Sequence, residues 1–145
     1  MKLVVQRVQS ASVSVEDEII SEIKQGLLVL VCFEQGDDDS SISKAVEKIS
    51  KLRIFDDGQG KMNLDLQAIE GEILSVSQFT LSWDGSGGHR PSFERSMLPQ
   101  EARLKYALFN RDLRNKGLTV KEGKFGAYMK VSLVNDGPVT FLFNY

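Results

Sequence analysis

Ser77-Gln78-Phe79-Thr80 brings two hydroxyls and an amide to the end of an apolar run, just before a loop, Ser82 to Pro91, rich in glycine. Groups of this kind, with backbone N–H donors, can hold a carbonyl oxygen as it becomes an oxyanion. That chemistry depends on geometry more than on titratable groups. The plainer alternative stays open at this point, because strands often end in polar residues. The usual additions to such a site are missing. His89 is the only histidine, and a Ser–His, Thr–His or Cys–His pair would have to use it. It sits in the loop Gly85-Ser86-Gly87-Gly88-His89, not behind a strand end. There is no G-x-S-x-G elbow and no Walker A pattern. The chain also lacks the two or more His and Cys ligands a zinc centre needs. No metal and no cofactor are expected. An enzyme built this way must take its nucleophile, or the activation of water, largely from the substrate. The rival is an esterase or amidase that uses Thr80 with His89 as general base.

The second informative stretch is Asn135-Asp136-Gly137-Pro138-Val139-Thr140. Its pattern is that of a turn in a hairpin between two apolar strands. A Gly–Pro bond adds something that plain turns lack. It can be cis at modest cost, and a cis bond aims consecutive carbonyls in the same general direction. A rigid carbonyl pair can serve as a steric and polar gate in a binding site. Both readings stand on pattern alone.

The elements that must position these residues follow from periodicity. Leu3–Val8 reads as a strand, and Ser12–Val15 alternates as a half-buried strand does. Ile19–Lys24 returns as a hairpin after Glu16-Asp17-Glu18. Leu27–Phe33 is a continuous apolar run of strand length, the mark of a strand buried on both faces. Asp37, Asp38 and Asp39 supply an N-cap and first-turn carboxylates. Ile42, Val46, Ile49 and Leu52 then follow at helical spacing, predicting a helix from about Ser40 to Arg53. A metal site on the three aspartates is the alternative, with no His or Cys near to complete it. Asp57-Gly58-Gln59-Gly60 marks a turn, and Glu72–Gln78 is the next strand. Pro99-Gln100-Glu101 opens a second helix with an apolar face of Leu104, Ala107 and Leu108, closed by Gly117. Leu118–Lys121, Ala127–Val134 and Val139–Phe143 read as strands. The order implies an α/β fold of mixed, largely antiparallel sheets with two helices.

Bulk properties bound the function. A chain of 145 residues is most simply one domain, residues 1–145, with a sizeable core. Its longest apolar run is too short to span a bilayer, and the first ten residues lack the pattern of a secretory leader. A cytoplasmic protein with no membrane partner is expected. Cys32 lies inside an apolar run and reads as a small buried hydrophobe. A net charge of −2 argues against extensive wrapping of nucleic acid, so no DNA partner is expected. A modest patch of Lys51, Arg53, Lys61, Arg90 and Arg95 could still touch a short end of RNA. Arg7 is a cation in a half-buried strand, either facing the surface or held by a partner. Phe125 and Met129 lie before the last strands and either line a pocket or belong to the core.

At Ser77-Gln78-Phe79-Thr80-Leu81 and Asn135-Asp136-Gly137-Pro138-Val139-Thr140 the chain resembles the D-aminoacyl-tRNA deacylases of the bacterial and eukaryotic type. Supporting stretches are Gln6-Arg7-Val8, Ala11-Ser12-Val13, Gly26-Leu27-Leu28-Val29-Leu30, Arg53-Ile54-Phe55, Gly60-Lys61-Met62-Asn63 and Arg90-Pro91-Ser92-Phe93. The similarity runs in order along essentially the whole chain. It implies a three-layer α/β/β fold and a homodimer with a site at each subunit interface. The implied substrate is aminoacyl-tRNA, recognised at its 3′-terminal adenosine. The implied reaction is ester hydrolysis that releases D-amino acids, or glycine mischarged on tRNA. In that picture Ser77, Gln78, Phe79 and Thr80 form the catalytic pocket around the ester. Gly137 and Pro138 of the other subunit, in cis, reject an L side chain. Arg7 braces the Gly–Pro turn, and Phe125 and Met129 support the pocket. With nothing near to deprotonate Thr80, its role is positioning and oxyanion stabilisation, and the terminal 2′-hydroxyl of the tRNA is the better activator. His89 departs from the family's pattern, which weakens a catalytic part for it.

Overall fold

The computed structural model describes every residue from Met1 to Tyr145. Its elements are β1 (Lys2–Val15), β2 (Glu18–Ile23), β3 (Gly26–Cys32), α1 (Asp39–Ser50), β4 (Phe55–Asp56), β5 (Met62–Leu64), β6 (Glu72–Ser77), α2 (Pro99–Asn115), β7 (Thr119–Glu122) and β8 (Lys130–Asn144). A 3-10 turn, Phe79–Ser82, follows β6.

β1 is the spine. β8 runs antiparallel along one of its edges from Lys2↔Asn144 to Ser14↔Lys130. Its other edge is shared: β3 pairs with Lys2–Val8 and β2 with Ala11–Val15. β6 then adds to β3, and β7 to β6, both parallel. The sheet is therefore mixed and largely antiparallel, with two helices, as the element order implies. β4 and β5 form a small separate hairpin around the Asp57–Gly60 turn.

Side-chain parity builds the layers. Leu27, Val29 and Val31 of β3 pack with Leu3 and Val5 of β1 and with Ile42, Val46 and Ile49 of α1. Leu28 on the opposite face packs with Val8, Ala11 and Val13 of β1, Ile23 of β2, and Leu74 and Val76 of β6. The unbroken apolar run is thus buried on both sides, as a central strand of this type should be. Helices cover one face, and the distal half of β1 with β2 and the start of β8 folds over the other.

Asp38 caps α1: its carboxylate accepts from the Ser41 N–H at 3.0 Å. Hydrogen bonds from the Ser40 hydroxyl and then the Ser41 amide pull its pKa down to about 2. The Met1 amine pairs with Asp37 at 2.5 Å and donates to the Tyr145 carbonyl at 3.0 Å, joining the two chain termini, at one end of the β1–β8 ladder, to the turn before α1.

Four expectations change. Leu3–Val8 and Ser12–Val15 belong to one strand of 14 residues, because β8 pairs along all of it. α1 ends at Ser50, short of Arg53. The last two strands are a single strand, β8, so Asn135–Thr140 is a bulge and not a hairpin turn. The buried face of α2 is Tyr106, Phe109, Asn110 and Leu113, while Leu104 is 73% exposed. Tyr106 and Asn110 disguise that stripe with polar atoms; the Tyr106 hydroxyl is satisfied by the Ser75 carbonyl at 2.7 Å. Its burial raises the phenol to about 12, so it stays a neutral donor.

Gly26 sets how closely β3 and β6 approach. A Cβ there would lie 1.9 Å from the Glu72 carbonyl oxygen. Gly26→Ala should therefore cost about 3 kcal/mol of stability, read as a lowered midpoint in urea unfolding. An unchanged midpoint would mean that the two strands can part there freely.

Candidate active site

β3 and β6 run parallel, so their C-terminal ends arrive together, with Val31 opposite Ser77. Ligands of open α/β sheets bind at such strand ends. Here the Gln78 N–H donates to the Val31 carbonyl at 2.7 Å and turns the chain into the 3-10 segment. Beyond that turn lies a mostly apolar pocket of about 650 Å³. Its walls come from the end of β3, the segment Phe93–Leu98, Ala102 at the start of α2, and the run Phe125–Met129. The segment Phe93–Leu98 is drawn in by backbone bonds from Gln35 to Arg95 at 2.9 Å and from Met97 to Phe33 at 3.0 Å.

Ser77, Gln78 and Phe79 line this pocket, and so do Phe125 and Met129. Phe79 is 55% exposed and meets Phe93 edge-on, ring centroids 5.0 Å apart. Thr80 is exposed and stands just outside the wall, but Gln78 Nε2 donates to its Oγ1 at 2.6 Å. No other side chain bonds to the Thr80 hydroxyl. An amide cannot take a proton at neutral pH in either orientation, so this pair holds Thr80 without activating it. His89 is exposed in its loop, makes no side-chain hydrogen bond and does not line the pocket. Cys32 lies at the pocket floor with its Sγ 3.5 Å from the Phe79 carbonyl oxygen. Burial above all, then Glu34, pushes its thiol up to about 11, so it is not a nucleophile at neutral pH. No group of three or more His, Cys, Asp or Glu gathers anywhere in a way that could hold a metal ion.

Gly137 and Pro138 lie elsewhere on the subunit, exposed and outside this pocket, and the bond between them is cis. They sit in the bulge of β8. Gln6 pairs with Thr140 and Val8 with Asn135, which leaves Asp136–Val139 opposite Arg7 alone. Arg7 holds that loop: its Nε donates to the Asp136 carbonyl at 2.9 Å, and an Nη donates to the Ile54 carbonyl at 2.5 Å. It is therefore partnered, not surface-facing. Asn135 closes the neck of the bulge. Its Oδ1 accepts from the Val139 N–H at 2.8 Å, and its Nδ2 donates to the Val139 carbonyl at 3.2 Å and to Thr140 Oγ1 at 3.1 Å. Gly137 has φ +148, and a Cβ there would come within 2.6 Å of Val139 Cγ2, so only glycine fits.

Sequence reasoning missed much of the pocket's apolar wall, including Phe33, Met97 and Ala102. Their approach depends on the Phe93–Leu98 segment crossing back to β3, which leaves no periodic signal. The expected basic patch is also largely spent. Lys51 is paired with Glu47 and Arg95 with Asp84, and Arg53 donates to the Asn63 carbonyl. Lys61 and Arg90 remain free of side-chain partners.

The chain has known counterparts along nearly its whole length. The family model for D-Tyr-tRNA(Tyr) deacylase matches residues 4–144. The chain belongs to that family. Relatives called D-aminoacyl-tRNA deacylase include one from Pelobacter propionicus, 52% identical over 98% of both chains. Another, from Lactobacillus gasseri, is 47% identical over 98% of both chains. Among solved structures, that of the c-Myc DNA Unwinding Element Binding Protein is 42% identical, covers 100% of this chain and 99% of that one, and superposes with a TM-score of 0.93.

Arg7→Ala would leave two carbonyls without their charged donor in a half-buried place. The expected cost is about 2 kcal/mol, or a fall of roughly 6 °C in Tm for a chain of this size. Thermal unfolding followed by circular dichroism checks this. A Tm unmoved by the change would show that the bulge does not need its brace.

Proposed function

We propose that this protein hydrolyses the ester of D-aminoacyl-tRNA, and of glycine mischarged on tRNA, while sparing L-aminoacyl-tRNA. It belongs with the hydrolases of carboxylic esters. Ser77, Gln78 and the backbone N–H groups opening the 3-10 turn hold the ester carbonyl as charge develops on its oxygen. Phe79 shapes the apolar wall, and Thr80 orients Gln78. Water adds to the carbonyl carbon, the bond to the 3′-oxygen of the terminal ribose breaks, and that oxygen leaves with a proton. The proton traffic runs through the terminal 2′-hydroxyl, since no basic side chain is hydrogen-bonded to Ser77, Gln78 or Thr80. The observation that carries this reading is the Gln78–Thr80 bond at 2.6 Å, with no other side chain bonded to the Thr80 hydroxyl.

Selection for chirality comes from the second subunit of a homodimer, in the cytoplasm. The exposed Gly137–Pro138 bulge of one subunit enters the pocket of the other, and Phe125 and Met129 back the space that receives the substrate. Its carbonyls leave room for a hydrogen and clash with an L side chain, so glycine passes as well. This is discrimination by exclusion.

Release of tyrosine from D-Tyr-tRNA and L-Tyr-tRNA, side by side with a chelator present, tests the reading. Release from the D ester alone is expected. Equal rates on both would remove the gate. Release from neither, with duplex DNA retained in a gel shift, would favour the second reading, suggested by the DNA-binding name of the similar solved structure.

The chemistry has its own check. Thr80→Ala should keep activity within about tenfold of the parent, whereas a substrate with a 2′-deoxy terminal adenosine should lose most of it. A folded, substrate-binding Thr80→Ala protein with no turnover would make Thr80 the nucleophile.

A further inference from the structure

Arg103 has none of the partners that occupy most other arginines here. It forms no ion pair and donates no hydrogen bond, whereas Arg7, Arg53, Arg95, Arg111 and Arg114 are all engaged. Its position on α2 explains this. The residues one turn away, Pro99, Gln100, Tyr106 and Ala107, include no acid to form a helical pair. Its guanidinium carbon instead lies over the ring of Phe125, 5.3 Å from the centroid. Phe125 is a wall of the pocket and is itself packed against Tyr106, ring centroids 5.9 Å apart. Ala102, the residue before Arg103, lines the same pocket. Lys124, the neighbour of Phe125, is exposed and also without a carboxylate partner. The acids closest along the chain are Glu101 and Glu122; Glu122 is committed to Arg114 at 2.6 Å, and Glu101 forms no ion pair.

An arginine laid on an aromatic wall is held in place by cation–π attraction while its N–H donors stay available. It lies against Phe125, a wall of the pocket proposed to take the 3′-terminal aminoacyl-adenosine. The next group of such a substrate, moving away from the ester, is the phosphodiester on the 5′ side of that adenosine. We propose that Arg103, with Lys124 beside it, binds a phosphate of the substrate's acceptor strand and so distinguishes an RNA-borne ester from a free aminoacyl-nucleoside. The proposal rests on the deacylase reading. It gives a protein of net charge −2 a local cationic contact placed where the chain end enters. Guanidinium and phosphodiester meet through paired N–H donors, a geometry that lysine reproduces only as a point charge.

The experiment compares two substrates with the parent protein, Arg103→Gln and Arg103→Lys. One substrate is D-Tyr-tRNA; the other is 3′-O-D-tyrosyl-adenosine, which carries the ester and no phosphate. In Arg103→Gln the advantage in kcat/KM of the tRNA ester over the adenosine ester should shrink about tenfold, mainly through KM. The slope of log KM against log salt for the tRNA ester should fall by about 0.7, the value for one single-strand phosphate. Arg103→Lys should restore part of the advantage. Equal losses on both esters would make Arg103 a packing residue of the Phe125 wall and overturn the proposal, as would no change on either. Failure of the parent protein on both esters would overturn the deacylase reading itself, and this proposal with it.

Discussion

One guanidinium fixes the relation between the two halves of the molecule's longest ladder. β1 and β8 pair along almost their whole length, yet at Arg7 the partner strand carries Asp136–Val139 against a single residue. Four residues facing one cannot lie flat in a sheet; they must leave it as a loop with unpaired carbonyls. Arg7 takes up the carbonyl of Asp136 in the same side chain that takes the carbonyl of Ile54 after α1. A lysine has the charge but no fork to satisfy both. Just beyond it, β1 changes core. Leu3 and Val5 face the helices, whereas Val8, Ala11 and Val13 face the other layer. The exchange falls between Val8 and Ala11, at a second irregularity that leaves Gln9 without a partner on β8, and an irregular register is what lets a strand exchange its inner face.

The pocket follows from a different constraint. Parallel pairing of β3 with β6 brings two carboxyl ends to one place, and the close approach that pairing needs is allowed by Gly26. Apolar side chains from the Phe93–Leu98 segment, the start of α2 and the Phe125–Met129 run then converge there. Its polar groups are few: Ser77 and Gln78 at the turn, with Gln35, Glu94 and Ser96 on the other walls. A site with this composition excludes water from most of its surface and concentrates directional contacts at one edge, so orientation of a bound ester is set by the segment Ser77–Gln78 and its shape by aromatic rings.

Most of the elements were open to a reading from sequence because they obey local rules. The β3 run, the Asp38 cap and the Pro99 and Gly117 boundaries of α2 each rest on a residue type with one dominant use. Where reading failed, a non-local interaction decided. Asn135-Asp136-Gly137-Pro138 has the composition of a hairpin turn, and only the continuous pairing with β1 makes it a bulge. Tyr106 and Asn110 hide the inner face of α2 because polarity was taken as exposure. The site divided in the same way. Ser77–Thr80, Phe125 and Met129 announced themselves by type and resemblance, but Phe33, Met97 and Ala102 meet them only through the returning segment after Phe93. The cations misled most: Lys51 and Arg95 looked available until their carboxylates were found, while Arg103 was overlooked amid the ordinary polar face of a helix.

The two halves of the proposed activity complement each other energetically. D and L esters contain the same atoms, so attraction can separate them only by how well each fits, and a hydrophobic pocket distinguishes small differences by about 1–3 kcal/mol. A rigid obstacle placed where one enantiomer must project a side chain raises only that enantiomer's energy. It requires a backbone that does not yield, which is what Arg7 and Asn135 provide for the bulge. Chemistry supplied by the substrate's own 2′-hydroxyl suits the same design. A strong resident base would hydrolyse any ester that lingered near it, including L esters that enter imperfectly. With none bonded to Ser77, Gln78 or Thr80, cleavage waits for an ester seated against Ser77 and Gln78 with its ribose in register, and exclusion from that seat becomes exclusion from reaction.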